Sequence, residues 1–115
     1  MEDTRKGQIA VIFTSVRTHA DENGYAAASR HMAALAAAQR GFAGMESARS
    51  PDGTGITISF WDSADDAAAW RDHPDHIRIR EAGRERWYDS YTVTIATVTR
   101  DYCWTKTESH RPAID

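Results

Sequence analysis

The order of its hydrophobic periods constrains the fold of this chain more than any other feature. Four segments alternate apolar with polar residues or are rich in β-branched residues, as strands are, and the others carry helical periods. The predicted strands cover residues 8–17, 42–49, 54–61 and 91–102; the predicted helices cover residues 25–39 and, in two pieces interrupted by Pro74, a stretch from Ser63 to Trp87. The order strand, helix, strand, strand, helix, strand predicts an α+β fold of the ferredoxin-like βαββαβ type, with an antiparallel sheet and both helices on one face.

Short polar signals support these boundaries. Asp21 and the residues after it offer helix-start chemistry, and Ser63 with Asp66 resembles a capping box. Gly41 is suited to end the first helix, and the turn residues 50–53 join strands two and three into a hairpin. The second helical piece, from about residue 75 to 87, should be loosened near Gly83.

One face of the predicted sheet is left without a cover. Strand one carries two apolar sets, Ile9, Val11 and Phe13 on one side and Ala10, Ile12 and Val16 on the other. Two helices cover only one side, so burial of the remaining apolar area favours a second sheet, which a symmetric homodimer supplies. The alternative is a monomer in which the threonines of strands three and four leave that face in water.

Composition narrows the class of protein. A chain of 115 residues is the size of one domain, for which we expect a core domain over 8–102, an N-terminal extension over 1–7 and a C-terminal tail over 103–115. No stretch is long and apolar enough to cross a membrane, no secretory signal is visible, and Cys103 is the single cysteine, all of which predicts a cytoplasmic protein. A net charge of -3 predicts no general attraction for nucleic acid.

Four stretches of the sequence resemble the antibiotic biosynthesis monooxygenase superfamily. They are residues 41–47 (GFAGMES), 55–61 (GITISFW), Trp70 with 73–76 (HPDH), and 83–88 (GRERWY), and the resemblance spans about 8–102. It implies a dimeric α+β barrel with a small-molecule cleft between the helices and the sheet of each subunit. Function has to be argued from the site itself.

Two branches of that superfamily have known chemistry, and this chain departs from both. One branch oxidises aromatic polyketide anthrones to quinones with dioxygen and no prosthetic group, and the other binds haem and opens its ring. Both use a cleft asparagine, whereas the one asparagine here, Asn23, stands at the start of the first helix. Trp61 matches a tryptophan of the haem-degrading branch, but the position of the axial histidine falls on Ile79.

The candidate catalytic residues lie in the second predicted helical region, between residues 73 and 84. We expect His73 or His76 to act as a general base, because the pKa of imidazole lies near working pH, and Arg84 to stabilise an enolate or phenolate. The expected substrate-binding residues are Trp61, Trp70, Trp87, Tyr88 and His31. The structural alternative for the aromatic residues is that they only fill the core. The structural alternative for the stretch around the two histidines is a helix break at Pro74, with Asp72 or Asp75 as the helix cap. The two histidines lack an evident third ligand, so no metal is predicted.

Three functions remain open from the sequence. The first is a monooxygenase that acts on a small aromatic or polyketide-like metabolite with dioxygen and without a tightly bound cofactor. The second is a haem-binding or haem-degrading protein, and the third is a non-enzymatic small-molecule-binding or stress-response domain whose cleft is filled by side chains. No phosphate loop and no flavin or nicotinamide fingerprint is present.

Overall fold

The computed structural model of the protein describes residues 4–106. It contains four strands, β1 to β4, three helices, α1 to α3, and one turn of π-helix, here called the π-turn. Their bounds are β1 Ile9–Arg17, α1 Glu22–Ala37, β2 Phe42–Arg49, β3 Thr54–Trp61, α2 Ala64–Arg71, α3 Pro74–Ala82, the π-turn Gly83–Trp87, and β4 Tyr88–Thr97. No helix within 4–106 has the length and apolar character needed to span a bilayer.

The strands form one antiparallel sheet in the order β2-β3-β1-β4. β1 lies in the middle, where Phe13 pairs with Thr57 of β3 and with Val93 of β4. The helices cover the side of the sheet that carries Val11 and Phe13, since these side chains and helical residues line one cavity. The ferredoxin-like α+β prediction is confirmed.

Side-chain caps begin α1 and α2 where the sequence signals lie. Asp21 has a left-handed backbone (φ 52°, ψ 54°), and its carboxylate accepts a hydrogen bond from the Gly24 amide at 3.2 Å. The Ser63 hydroxyl accepts one from the Asp66 amide at 3.1 Å. Each cap satisfies a donor that the first turn of a helix leaves unpaired.

The region between Pro74 and the last strand departs from the sequence prediction. The helix predicted to reach Trp87 ends at Ala82, and β4 begins at Tyr88, before the predicted start of the last strand at Tyr91. The carbonyl of Trp87 accepts hydrogen bonds from the Thr18 amide and from Nε of Arg17, which draws the chain onto the end of β1. β4 ends at Thr97 instead of at 102. Val98 still makes backbone hydrogen bonds with Gly7 and Gln8, just before β1, and beyond this point β1 offers no further residues for pairing.

The two faces of the sheet have different surroundings. On the helical face, Trp61, Trp70, Ala36 and Ala67 form the buried core. On the opposite face no described helix packs, and Val16 and Ile56 there are each 37% exposed. The chain continues past β4 with Tyr102 and Trp104 exposed at 67% and 74%. Residues 107–115 of the predicted tail and 1–3 of the predicted extension lie outside the described residues.

Candidate active site

A cleft of about 770 Å³ opens between the helical face of the sheet and helices α1 to α3. Its floor is apolar and aromatic, with Val11 and Phe13 from β1 and Val93 and Ile95 from β4. Val93 and Ile95 are 49% and 61% exposed, which places the mouth of the cleft over the edge strand β4. A largely apolar cavity with a few polar groups is typical of a small-molecule site.

His76 supplies a polar group to this cavity. Its Nδ1 lies 3.0 Å from the carbonyl oxygen of Trp70. Because a carbonyl can only accept, Nδ1 carries the proton, and in the uncharged ring the lone pair therefore lies on Nε2. Nε2 has no hydrogen-bond partner among residues 4–106. Burial lowers the pKa of His76, and the charge of Arg80 acts in the same direction, against the carbonyls of Trp70 and Arg71.

A stack of aromatic rings holds the His76 ring in place. The imidazole lies on Trp70 with 4.7 Å between centroids and 8° between planes, and Trp70 in turn stacks on Trp61 at 6.0 Å and 24°. Trp61 is fully buried, and its indole N–H donates to the Ser59 hydroxyl at 2.9 Å. The stack and the Nδ1 hydrogen bond together restrict the rotation of the imidazole.

Three more rings form the other half of the floor. Phe13 contacts Tyr88 and Tyr91, with centroid distances of 5.4 and 5.2 Å. Tyr88 also meets Tyr25 of α1 edge to face at 6.0 Å. Burial raises the pKa of the Tyr88 phenol far above its ordinary value, and Tyr25 adds to this. Tyr88 is therefore a neutral phenol at any physiological pH and cannot serve as a base.

Two arginines close the polar side of the cleft. Arg84, on the π-turn, is exposed at the rim and donates from Nε to the Tyr91 hydroxyl at 2.6 Å. Arg80, one turn earlier on α3, is half-buried and lines the cavity. Its Nε is buried without a hydrogen-bond partner.

Of the residues expected from the sequence, the cleft brings together His76, Arg84, Trp70, Trp87 and Tyr88. His73 caps α3, since its Nδ1 accepts from the Asp75 amide at 3.1 Å, and it does not line the cavity. His31 is exposed on α1, 3.9 Å from the Asp75 carboxylate. Trp61 lies behind Trp70 and is not part of the cavity wall.

Trp87 also has a structural partner. Its indole N–H donates to the Asp21 carboxylate at 3.2 Å, which ties the π-turn to the start of α1. Asn23 is exposed in the first turn of α1 and does not contribute to the cavity. Within residues 4–106, no three His, Cys, Asp or Glu side chains lie close enough to hold a metal ion.

Arg80, Tyr25 and Tyr91 line the cavity but are not among the site residues expected from the sequence. Arg80 follows His76 by four residues, so the helical period would place both on one face. Tyr91 alternates with Val93 and Ile95 on β4, which would place all three on one face of the sheet. No local signal identifies Tyr25, whose contact with Tyr88 joins residues far apart in sequence.

Comparisons with known proteins agree with this geometry. The model of the antibiotic biosynthesis monooxygenase family matches residues 9–82. The uncharacterized protein YqjZ of Bacillus subtilis is 50% identical over 91 residues, which are 79% of each chain.

Solved structures share the fold at low sequence identity. SnoaB of Streptomyces nogalater, described as a cofactor-independent oxygenase, has a TM-score of 0.70 and 16% identity, with 83% of this chain and 96% of SnoaB covered. Rv0793 of Mycobacterium tuberculosis has a TM-score of 0.73 and 16% identity, with 84% and 99% covered. On the strength of the family match and of the similarity to YqjZ, this chain belongs to the antibiotic biosynthesis monooxygenase family.

Proposed function

We propose that this protein is a monooxygenase that oxidises a small aromatic, polyketide-like metabolite with dioxygen and without a tightly bound cofactor. The observation that carries the proposal is the position of His76, which lines an apolar, aromatic cleft while its Nδ1 contacts the Trp70 carbonyl and its Nε2 has no hydrogen-bond partner among the described residues. Family membership and the description of SnoaB as a cofactor-independent oxygenase support the reaction class.

His76 is the general base in this proposal. A base has to be unprotonated at working pH and positioned. Burial lowers the pKa of His76 and so favours the unprotonated ring, and the hydrogen bond from Nδ1 to Trp70 fixes the tautomer and the ring. His73 is not assigned this role, because its ring nitrogen already accepts the hydrogen bond that caps α3.

The reaction needs no reductant. In an anthrone-type substrate, His76 removes a proton from the activated methylene, and the resulting carbanion transfers electrons to dioxygen. A carbon–oxygen bond forms, the oxygen–oxygen bond of the peroxide breaks, and the methylene becomes a carbonyl. One oxygen atom enters the product and the other leaves as water, so that anthrone and dioxygen give quinone and water.

The other cleft residues bind and stabilise. Tyr88 offers a ring against which a planar substrate can pack, and Trp70, which is stacked between His76 and Trp61, supports the His76 ring. Trp87 closes the wall at the π-turn, and Arg84 at the rim can neutralise the developing phenolate. Trp61 acts through Trp70 by holding it in place. The apolar floor keeps water from the carbanion.

Dioxygen uptake with a dihydroxyanthrone tests this function. The rate above the spontaneous oxidation of the anthrone is measured with an oxygen electrode, and quinone is measured by absorbance. His76→Gln should lower that rate at least about a hundredfold, the usual contribution of a general base. His31→Gln, an exposed histidine outside the cleft, is the control and should keep the wild-type rate. A wild-type rate equal to the spontaneous rate would refute the proposal.

Haem binding is the second candidate, and one observation favours it. An iron-binding histidine usually donates its other ring N–H to a carbonyl, as His76 does to Trp70. His76 would hold the iron, which would supply oxygen-activating chemistry, and Arg80 and Arg84 are placed to pair with the propionates. A Soret band that appears on addition of hemin and is lost in His76→Ala would support this candidate, and an unchanged hemin spectrum would exclude it.

We further propose that the protein is cytoplasmic. We also propose that two copies associate through the uncovered sheet face, where Val16 and Ile56 are partly exposed. Light scattering after size exclusion tests the association. A stable monomer at micromolar concentration would refute it.

A further inference from the structure

Arg80 is a half-buried cation that forms no ion pair with the described residues. Its side chain makes no hydrogen bond and no ion pair within residues 4–106, and its Nε is shielded from water. A buried donor left unpaired costs about 1–3 kcal/mol, and native structures contain few of them. Such a group is explained when a ligand supplies the missing acceptor.

Asp72 and Asp75, which precede Arg80 by eight and five residues, are engaged elsewhere. Asp72 accepts two hydrogen bonds from Arg71, at 3.0 and 3.2 Å, and is exposed. Asp75 accepts from Arg78 at 2.7 Å. The charge of Arg80 adds to the lowering of the Asp72 pKa, yet no contact joins the two side chains. Neither acid neutralises Arg80 directly.

The wall of the cleft is cationic although the whole chain is not. Arg71, Arg80 and Arg84 line it, against the single acid Asp65, while the net charge of the protein is -3. Arg71 is paired with Asp72, which leaves Arg80 and Arg84 as the cations of this wall without an ion pair among the described residues. A concave site lined by one sign of charge attracts ligands of the opposite sign. Composition alone therefore does not account for the positive wall.

We propose that the polar side of the cleft is an anion subsite, in which Arg80 binds a carboxylate of an aromatic ligand beside the His76 ring. Arg80 and His76 lie four residues apart on α3 and both line the cavity. A guanidinium matches a carboxylate with two parallel hydrogen bonds, and Tyr88 and Tyr91 in the same cavity provide contacts for the ring that carries it. This inference rests on the proposed function in placing the substrate in this cleft, and it narrows the substrate class to aromatic acids.

Calorimetric binding of a matched ligand pair tests the subsite. 2-Naphthoate and 2-naphthamide have the same ring system and differ in charge. The wild-type protein should bind the naphthoate at least tenfold more tightly. Arg80→Gln should reduce this preference to less than about threefold, while Arg78→Gln, which removes an exposed cation of the same helix, should retain it. Circular dichroism confirms that both variants fold.

Each result separates the two proposals. Equal binding of the two ligands by the wild-type protein, or a preference that survives in Arg80→Gln, overturns the anion subsite and leaves the oxidation proposal standing. A preference that depends on Arg80, together with no oxidation of any anthrone, supports the subsite and removes the monooxygenase. If neither ligand binds at millimolar concentration, the cleft does not admit planar aromatics and both proposals fall.

Discussion

Replacement of Ser59 by alanine should destabilise the protein by about 1–3 kcal/mol, because it leaves a buried donor unpaired. The Ser59 hydroxyl accepts the indole N–H of Trp61 at 2.9 Å, and Trp61 is 0% exposed. The Ser59→Ala variant removes the one acceptor that the described residues offer to the indole N–H. The lost hydrogen bond also frees the first ring of the stack that positions His76, so catalysis should weaken along with stability.

Urea denaturation followed by tryptophan fluorescence measures this effect. Ser47→Ala is the matched control, since Ser47 also points to the helical face but is exposed, and it should change stability by less than about 0.5 kcal/mol. The double variant Ser59→Ala/Trp61→Phe removes both partners and should show a coupling energy of about 0.5–3 kcal/mol. If Ser59→Ala and Ser47→Ala have equal stability, the hydrogen bond does not hold the stack.

Three further predictions concern pH and backbone geometry. Burial lowers the pKa of His76 in the folded protein, so near pH 6.5 the unfolded chain takes up a proton while the native ring stays neutral. The free energy of unfolding should therefore fall as the pH drops below about 6.5. In urea titrations, His76→Gln should remove the contribution of this histidine to that pH dependence. Gly83→Ala should cost about 1–3 kcal/mol and alter the near-ultraviolet circular dichroism, because its Cβ would lie 2.9 Å from the Tyr88 ring. Gly41→Ala should cost about 1–3 kcal/mol in thermal or urea melts, because φ is 81° there and a Cβ would overlap the Asp66 side chain.

Specific outcomes would contradict these three. A slope between pH 6.5 and 5 that is the same in wild type and His76→Gln would show that this histidine is not held neutral. An unchanged aromatic spectrum in Gly83→Ala would mean that Tyr88 does not pack on residue 83. Gly7 also has a positive φ, of 91°, but open space surrounds it, so Gly7→Ala should lower the free energy of unfolding less than Gly41→Ala does. Equal losses of stability in the two variants would argue against the clash with Asp66.

The hairpin was predictable from the sequence because its signals are local. The bounds of β2 and β3 agree with the alternation of Ile56, Ile58 and Phe60 and with the turn that contains Gly53. The end of the second helical region was not predictable, because a long-range contact decides it. The carbonyl of Trp87 bonds to residues 17 and 18, and this pairing, which local periods do not encode, pulls Tyr88 into the sheet.

The candidate site was likewise predictable where the signals are local and not where long-range packing decides. The sequence could name His73 and His76 but could not choose between them, although Pro74 in the first turn of α3 leaves His73 at the capping position. It favoured Arg84, which lies exposed at the rim, over the half-buried Arg80. The pattern predicted a loosening near Gly83, where α3 gives way to the π-turn, but burial depends on how α3 packs over the sheet, which local periods do not encode.

The state of the His76 ring is the central claim, and long-range ¹H–¹⁵N correlation spectra of the histidine side chains test it most directly. At pH 7, we predict a proton on Nδ1, a bare Nε2 and a shift of the Nε2 resonance when 2-naphthol is added, with His76→Gln used to assign the signals. A ring that is protonated on both nitrogens or on Nε2 alone, or an Nε2 signal that does not respond to the ligand, would contradict the account.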